Sequence, residues 1–223
     1  MIKNNSLSGA ALAVSISFAC ITAFSDHAFA RPISYPEGWS ILQTHDGDST
    51  SLGATYTVTK DYALGYRGEY FHDKKWQLHT ATFDYLALKK NMPSSQANLY
   101  VRSGIGFAHS DHEHFDNKNE PAGYIGLSAD WEDRRYLIKY ENRAYYAGDI
   151  DKSYKQTVRA GITPYIGEYG DVHTWILLDA THTPGAKNNY TITPTLMFFI
   201  SDLLLEVGYS NHNDLMLNTV FRF

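Results

Sequence analysis

Beyond residue 30 the chain contains no cysteine, because the single one in its 223 residues is Cys20. Disulfides, thiolate metal sites and a cysteine nucleophile are thereby excluded from residues 31–223. The same stretch lacks any run of 18 apolar residues, so nothing in it can cross a bilayer as a helix. Helix formers are sparse, and no long segment keeps a 3.6-residue apolar period. A large charge of one sign is missing too. The formal charge is −5, from 19 Lys and Arg against 24 Asp and Glu, too mild and too mixed for a nucleic-acid partner. What the chain does have is 17 Tyr, 16 Gly and 11 Phe, together with many Thr, which suit pleated strands. The expectation is an all-β fold.

The first thirty residues read differently from the rest. Lys3 gives a positive start, an apolar stretch runs from about Ala10 to Phe24, and Ala28-Phe29-Ala30 puts small residues at both positions that govern cleavage. This is the plan of a secretory signal peptide at 1–30, cut after Ala30. The apolar run is short for a membrane anchor, and Ser15 and Ser17 interrupt it. Lipidation at Cys20 fits less well, since Ser17-Phe18-Ala19 lacks the usual aliphatic residue. Lys3 and Asp26 leave together, so 31–223 keeps the charge of −5 and forms one domain.

Through 31–223, alternating segments are separated by turn-rich clusters. Strands are expected at 38–45, 50–58, 62–71, 76–89, 97–109, 122–131, 134–147, 153–166, 172–182, 190–200, 203–210 and 214–223. That makes about twelve, with ten or fourteen as the alternatives if neighbours merge or split. In 62–71, Leu64, Tyr66 and Tyr70 oppose Arg67 and Glu69; in 97–107, Leu99, Val101, Ile105 and Phe107 oppose Tyr100 and Arg102. In 136–146, Ile138, Tyr140, Ala144 and Tyr146 oppose Lys139, Glu141, Arg143 and Tyr145. In 154–166, Val158, Ala160, Ile162 and Ile166 oppose Lys155, Thr157, Arg159 and Thr163. A soluble sandwich turns its apolar faces to a dry core, whereas a membrane barrel puts them outside around a polar lumen. Many of these strands match the nine to eleven residues that a tilted membrane strand needs. Aromatics also gather near strand ends (Trp39, Tyr62, Tyr70, Trp76, Tyr124, Trp131, Tyr136, Tyr146, Tyr154, Tyr190 and Tyr209), as interface girdles require.

The last strand separates these cases further. Leu215, Leu217, Phe221 and Phe223 alternate up to a terminal Phe, with Thr219 the one departure. This segment resembles the C-terminal signature of bacterial outer-membrane β-barrel proteins. The resemblance implies an antiparallel up-and-down transmembrane barrel, an outer-membrane location among lipid, and recognition of the final strand by the barrel assembly machinery. With both ends periplasmic, an even strand number follows. The turns TKD, NMPSSQ, ED, EYGD and SD then fall inside the cell envelope, and HDGDS, HDKK, HSDHEHFDNKNEP, GDIDK, TPGAKNN and SNHND fall outside.

Three constellations could carry function. The first is a set of strand charges expected to line the lumen: Arg67, Glu69, Arg102, Lys139, Glu141, Arg143 and Arg159, with Lys155, Asp84, Asp130 and Glu206. Facing lipid, each would cost a few kcal/mol near the midplane. They suit a small passive channel that biases solutes by charge, or a structural surface barrel whose interior is closed by ion pairs. Small twelve-stranded channels for acidic oligosaccharides and nucleosides have a similar size, but no motif matches them and the acids nearly balance the bases. The second is the loop holding His109, His112 and His114, whose imidazoles could take a divalent metal such as zinc or copper. A hydrophilic loop that happens to be His-rich is the plainer reading, because no structural-site spacing is present. No other cofactor is indicated. The third is an outer-membrane hydrolase or lipid-modifying enzyme, with His109, Ser110 and Asp111, or His182 and Asp179, as candidate pairs. No G-x-S-x-G or H-E-x-x-H supports it, and adjacent strand residues face opposite ways.

Overall fold

The computed structural model describes residues 35–110, 117–168 and 170–223. The signal peptide expected at 1–30 lies outside them, as do His112 and His114. Twelve strands follow in order: β1 (Trp39–His45), β2 (Ser49–Thr57), β3 (Tyr62–Phe71), β4 (Trp76–Asn91), β5 (Ser95–Ser110), β6 (Asn119–Asp133), β7 (Tyr136–Ala147), β8 (Asp151–Ile162), β9 (His173–His182), β10 (Tyr190–Ile200), β11 (Leu203–Tyr209) and β12 (Leu215–Arg222). Each pairs antiparallel with its sequence neighbours, and β12 returns to β1, so the sheet closes as an up-and-down barrel. Closure removes the unpaired edges an open sheet would expose, which lipid cannot satisfy.

The seam is sealed by β1 against β12, from Ser40 opposite Arg222 to His45 opposite Leu217. Phe223 completes it: its N–H donates to the Trp39 carbonyl at 3.0 Å, and Trp39 N–H donates to its carbonyl at 2.7 Å. The Phe223 ring points outward and packs 5.5 Å from Phe221. Thr219 also faces outward, where its hydroxyl donates to Gln43 Oε1 at 3.2 Å. The barrel wall is uneven in height. β4, β5 and β6 run 15 or 16 residues, whereas β1, β11 and β12 run seven or eight.

Polarity is inverted relative to a soluble protein. Ile105 is 77% exposed, and Leu52, Leu64, Ile125, Ile138, Leu178 and Leu196 join it on the outer surface. Apolar patches this extensive mark a surface covered by something other than water. The inward positions are polar or buried, and Ser128, Thr80, Asp179 and Glu206 are among them.

Two irregularities set which side chains point where. At Leu86/Leu88 the β4–β5 register shifts, so Leu86 packs inward on Ala63 and Tyr100 while Leu88 emerges on the outside. Between β6 and β7 the ladder lapses at Gly126 and Leu127, and the Asn142 side-chain carbonyl accepts the Leu127 N–H at 3.1 Å. A Cβ on Gly126 would lie 2.1 Å from the Asn142 backbone oxygen, so only glycine permits this approach.

Three sequence expectations need correction. Trp76 and Tyr124 do not belong to the aromatic girdle; both point inward, and Trp76 is 0% exposed. Ile166 is not a strand residue opposite Thr163, because β8 ends at Ile162 and Ile166 sits in the following turn against the lumen. The interior is also less uniformly polar than expected. One apolar pad joins Trp76, Leu78, Tyr124, Tyr145 and Ile150 with Phe71, and another joins Leu177, Met197, Phe199 and Leu204. A barrel of this size leaves an inner space that side chains must partly fill, and these pads fill it.

Candidate functional site

Alternation along each strand fixes the lumen wall, since residues two apart share a face. Arg67, Glu69, Arg102, Lys139, Glu141, Arg143 and Arg159 all lie on it and border one cavity of about 950 Å³. Asp84, Asp130, Lys155 and Glu206 border it as well.

The charges form two networks and a strap. In the first, Glu69 on β3 holds Arg67 (Nε to Oε2, 3.2 Å) and reaches across the lumen to Arg143 on β7 (3.7 Å). Arg143 also contacts Glu141 at 3.9 Å, and Lys139 meets Glu141 at 2.6 Å. Arg102 lies 3.8 Å from the same carboxylate. Tyr145 donates its hydroxyl to Glu69 at 3.4 Å, and the Arg143 guanidinium sits 4.7 Å from the Tyr124 ring centroid. That stacking stabilises a partly desolvated cation. Gly104 makes room for the ring: a Cβ there would lie 2.5 Å from Tyr124 Cε1.

The second network centres on Arg159. Its guanidinium forks onto Asp179 at 2.6 and 2.9 Å and onto Glu206 at 2.6 and 3.1 Å. Asn218 donates to Glu206 at 2.9 Å and Thr195 to Asp179 at 3.3 Å. Bidentate pairing of this kind fixes geometry as well as charge.

The strap crosses the mouth. Lys155 on β8 donates to both Asp46 and Asp48, each at 3.0 Å, although their β1–β2 loop lies on the opposite side of the ring. Asp46 also accepts the backbone N–H groups of Asp48 and Ser49 at 2.9 and 2.7 Å, closing a tight turn. Burial pushes the Asp46 carboxyl up, but the Lys155 ammonium and those backbone donors outweigh it and hold it below its ordinary value. A second tie on the same side joins Lys74, from the β3–β4 loop, to Asp151 on β8. Neither strap was visible in the sequence, where HDGDS reads as a solvated loop. Asp179 was also missed as a lumen acid, although Leu177 and Thr181 share its parity.

Asp111, like His112 and His114, lies outside the described residues, and the described members of the other candidate sets do not converge. His109 faces outward and bonds Asn119 through Nδ1 at 3.0 Å, while Ser110 points inward. His182 is on the outer face with Gln156, at 3.1 Å, whereas Asp179 is in the lumen with Arg159, so that pair is separated by the wall. Among the described residues, no group of three or more His, Cys, Asp or Glu is placed to hold a metal. Of the final strand, Leu215, Leu217, Phe221 and Phe223 all face outward beside the seam.

A closed, even-stranded antiparallel barrel with an apolar exterior and a charged interior defines a class, the bacterial outer-membrane β-barrel protein. No protein-family profile matches the chain, and no curated protein matches it. Among solved structures it is similar to the KdgM porin in complex with disordered oligogalacturonate, at 10% identity and a TM-score of 0.48, over 83% of this chain and 98% of that one. It is also similar to OccAB3 of Acinetobacter baumannii, at 11% identity and a TM-score of 0.40, over 78% and 55% of the two chains. OccK5 of Pseudomonas aeruginosa gives 8% and 0.40, over 82% and 62%. Likeness at this level assigns no solute.

Proposed function

We propose that this protein is a passive channel of the Gram-negative outer membrane, exported behind a cleaved leader and admitting small solutes through a charged, loop-narrowed lumen. The observation that carries this reading is the extent of the lumen cavity. It is bordered by Asp48, Ser210 and Asp214 at one rim and by Ser94, Arg134 and Gly167 at the other. A barrel filled for structural purposes alone has no need of a cavity that reaches both ends. Transit involves no covalent step. A solute exchanges part of its hydration for the fixed charges and hydroxyls of the wall, and the Lys155 strap sets the width at the outer mouth.

Planar-bilayer recording with the purified barrel tests this. Discrete current steps that scale with salt are expected. Absence of current at every voltage would remove the channel reading and leave a closed structural barrel.

A further inference from the structure

The lumen is lined by charges of both signs, so their arrangement matters more than their number. At mid-height the wall carries both signs: Arg67, Arg102, Lys139, Arg143 and Arg159 stand beside Glu69, Asp84, Asp130, Glu141, Asp179 and Glu206, with Asp130 directly opposite Lys139 on the neighbouring strand. The mid-height cations are also engaged. Arg159 is forked between two carboxylates, and Arg143 and Lys139 both meet Glu141. A passing anion would have to compete with carboxylates already in place.

The mouths are different. At the outer rim Asp46, Asp48 and Asp214 face Lys155; at the inner rim Glu132 and Asp133 are matched by Arg134 and Arg222. Asp130 accepts from the neutral amide of Asn98 at 2.8 Å, which leaves its charge intact. The cavity wall thus carries eleven carboxylates against eight cations, a surplus of three negative charges, most of it at the outer rim.

From this distribution we infer that the channel prefers cations, and that the net surplus of carboxylates, concentrated at the outer rim, rather than the lumen arginines sets the sign of its selectivity. The inference rests on the channel reading above. Small inorganic cations and amine-bearing solutes are its permeants, and acidic oligosaccharides are disfavoured. The physical basis is simple. A mean potential at the mouths of only about −1 kT per unit charge enriches monovalent cations over anions roughly sevenfold, and surface fields of several kT are ordinary. Screening shortens the reach of that field from about 10 Å at 0.1 M salt to about 3 Å at 1 M.

The test is the reversal potential of the purified barrel in a KCl gradient, at low and then at high salt. The expected permeability ratio of K⁺ to Cl⁻ is roughly three to ten at about 0.1 M, falling toward one near 1 M. A second measurement uses Asp130→Asn, Glu132→Gln and Asp214→Asn together, which removes the surplus while leaving Glu69, Glu141, Asp179 and Glu206 and their ion pairs in place. Its ratio should drop to about one. A wild-type ratio below one overturns the inference while leaving the channel in place, as does an unchanged ratio in a conducting triple variant. Absence of any current removes the channel reading itself, and the two failures are therefore distinguishable.

Discussion

Replacing Lys155 with alanine isolates what the strap contributes at the outer mouth. The ammonium is 3.0 Å from both Asp46 and Asp48, and the three side chains are 27%, 39% and 35% exposed. Exposed ion pairs contribute about 0.2–1 kcal/mol each, and hydrogen bonds to charged groups in drier surroundings about 1.5–3 kcal/mol. The strap lies between those limits, so its loss should weaken docking of the β1–β2 loop by about 2 kcal/mol, or about thirtyfold in the docked-to-released ratio. The turn made by Asp46 with Asp48 and Ser49 does not need Lys155, so the loop should move as a unit rather than unravel. Single-channel recording should find larger and noisier openings in Lys155→Ala, with limited proteolysis newly cutting near Gly47, while Lys155→Arg behaves as wild type. The pH dependence has a definite sign. Asp46 is held below its ordinary value, so its contribution is fully present above about pH 4 and is lost only as pH falls through the depressed value. The Lys155–Asp46 contact should therefore persist from about pH 7.5 to about pH 5. Identical openings and proteolysis in Lys155→Ala would refute the strap.

Other perturbations test other parts of the barrel. Arg159→Met strands Asp179 and Glu206, which are 6% and 8% exposed, and should cost about 3–5 kcal/mol in unfolding from lipid vesicles. Adding Asp179→Asn and Glu206→Gln should recover most of it, and a lack of rescue would argue against a charge origin. Ile105→Arg places a charge on the most exposed apolar position of the tall wall, and should destabilise the vesicle-inserted protein by about 2–4 kcal/mol near the midplane. No effect there would mean that this face does not meet lipid. Gly104→Val should displace the Tyr124 ring and cost about 1–3 kcal/mol, read as a lower unfolding temperature by gel shift.

Most of the wall could be read from the sequence because a barrel strand has only two faces. Arg67 and Glu69 against Leu64 and Tyr66, or Lys139 to Tyr145 against Ile138 to Tyr146, announce strand, register and side at once. A side chain's face is hidden where parity carries no chemical contrast. Trp76 and Tyr124 are aromatics near strand ends, like the girdle residues, but which face they occupy depends on counting from a neighbour of known side. Ile166 continued the β8 pattern by coincidence after the chain had turned. The loop acids Asp46 and Asp48 gave no hint of Lys155, because their contact spans more than a hundred residues and depends on the ring closing. The seven lumen residues chosen from the pattern border one cavity, yet the sequence could not say which of them would pair, or that loop acids would join them at the outer rim.

The uneven height of the wall has a consequence for the surrounding bilayer. At about 3.4 Å per residue and a tilt of roughly 40°, a seven-residue strand rises roughly 18 Å along the membrane normal, and a 16-residue strand roughly 40 Å. The apolar band of such barrels is about 25 Å tall. Lipid beside the seam of β11, β12 and β1 must therefore compress, while lipid beside β4 to β6 need not. The strain is confined to one sector, and it relaxes when that sector meets another short wall or a thinner patch of membrane. The protein thus carries a built-in heading in the plane of the membrane, set by strand length alone.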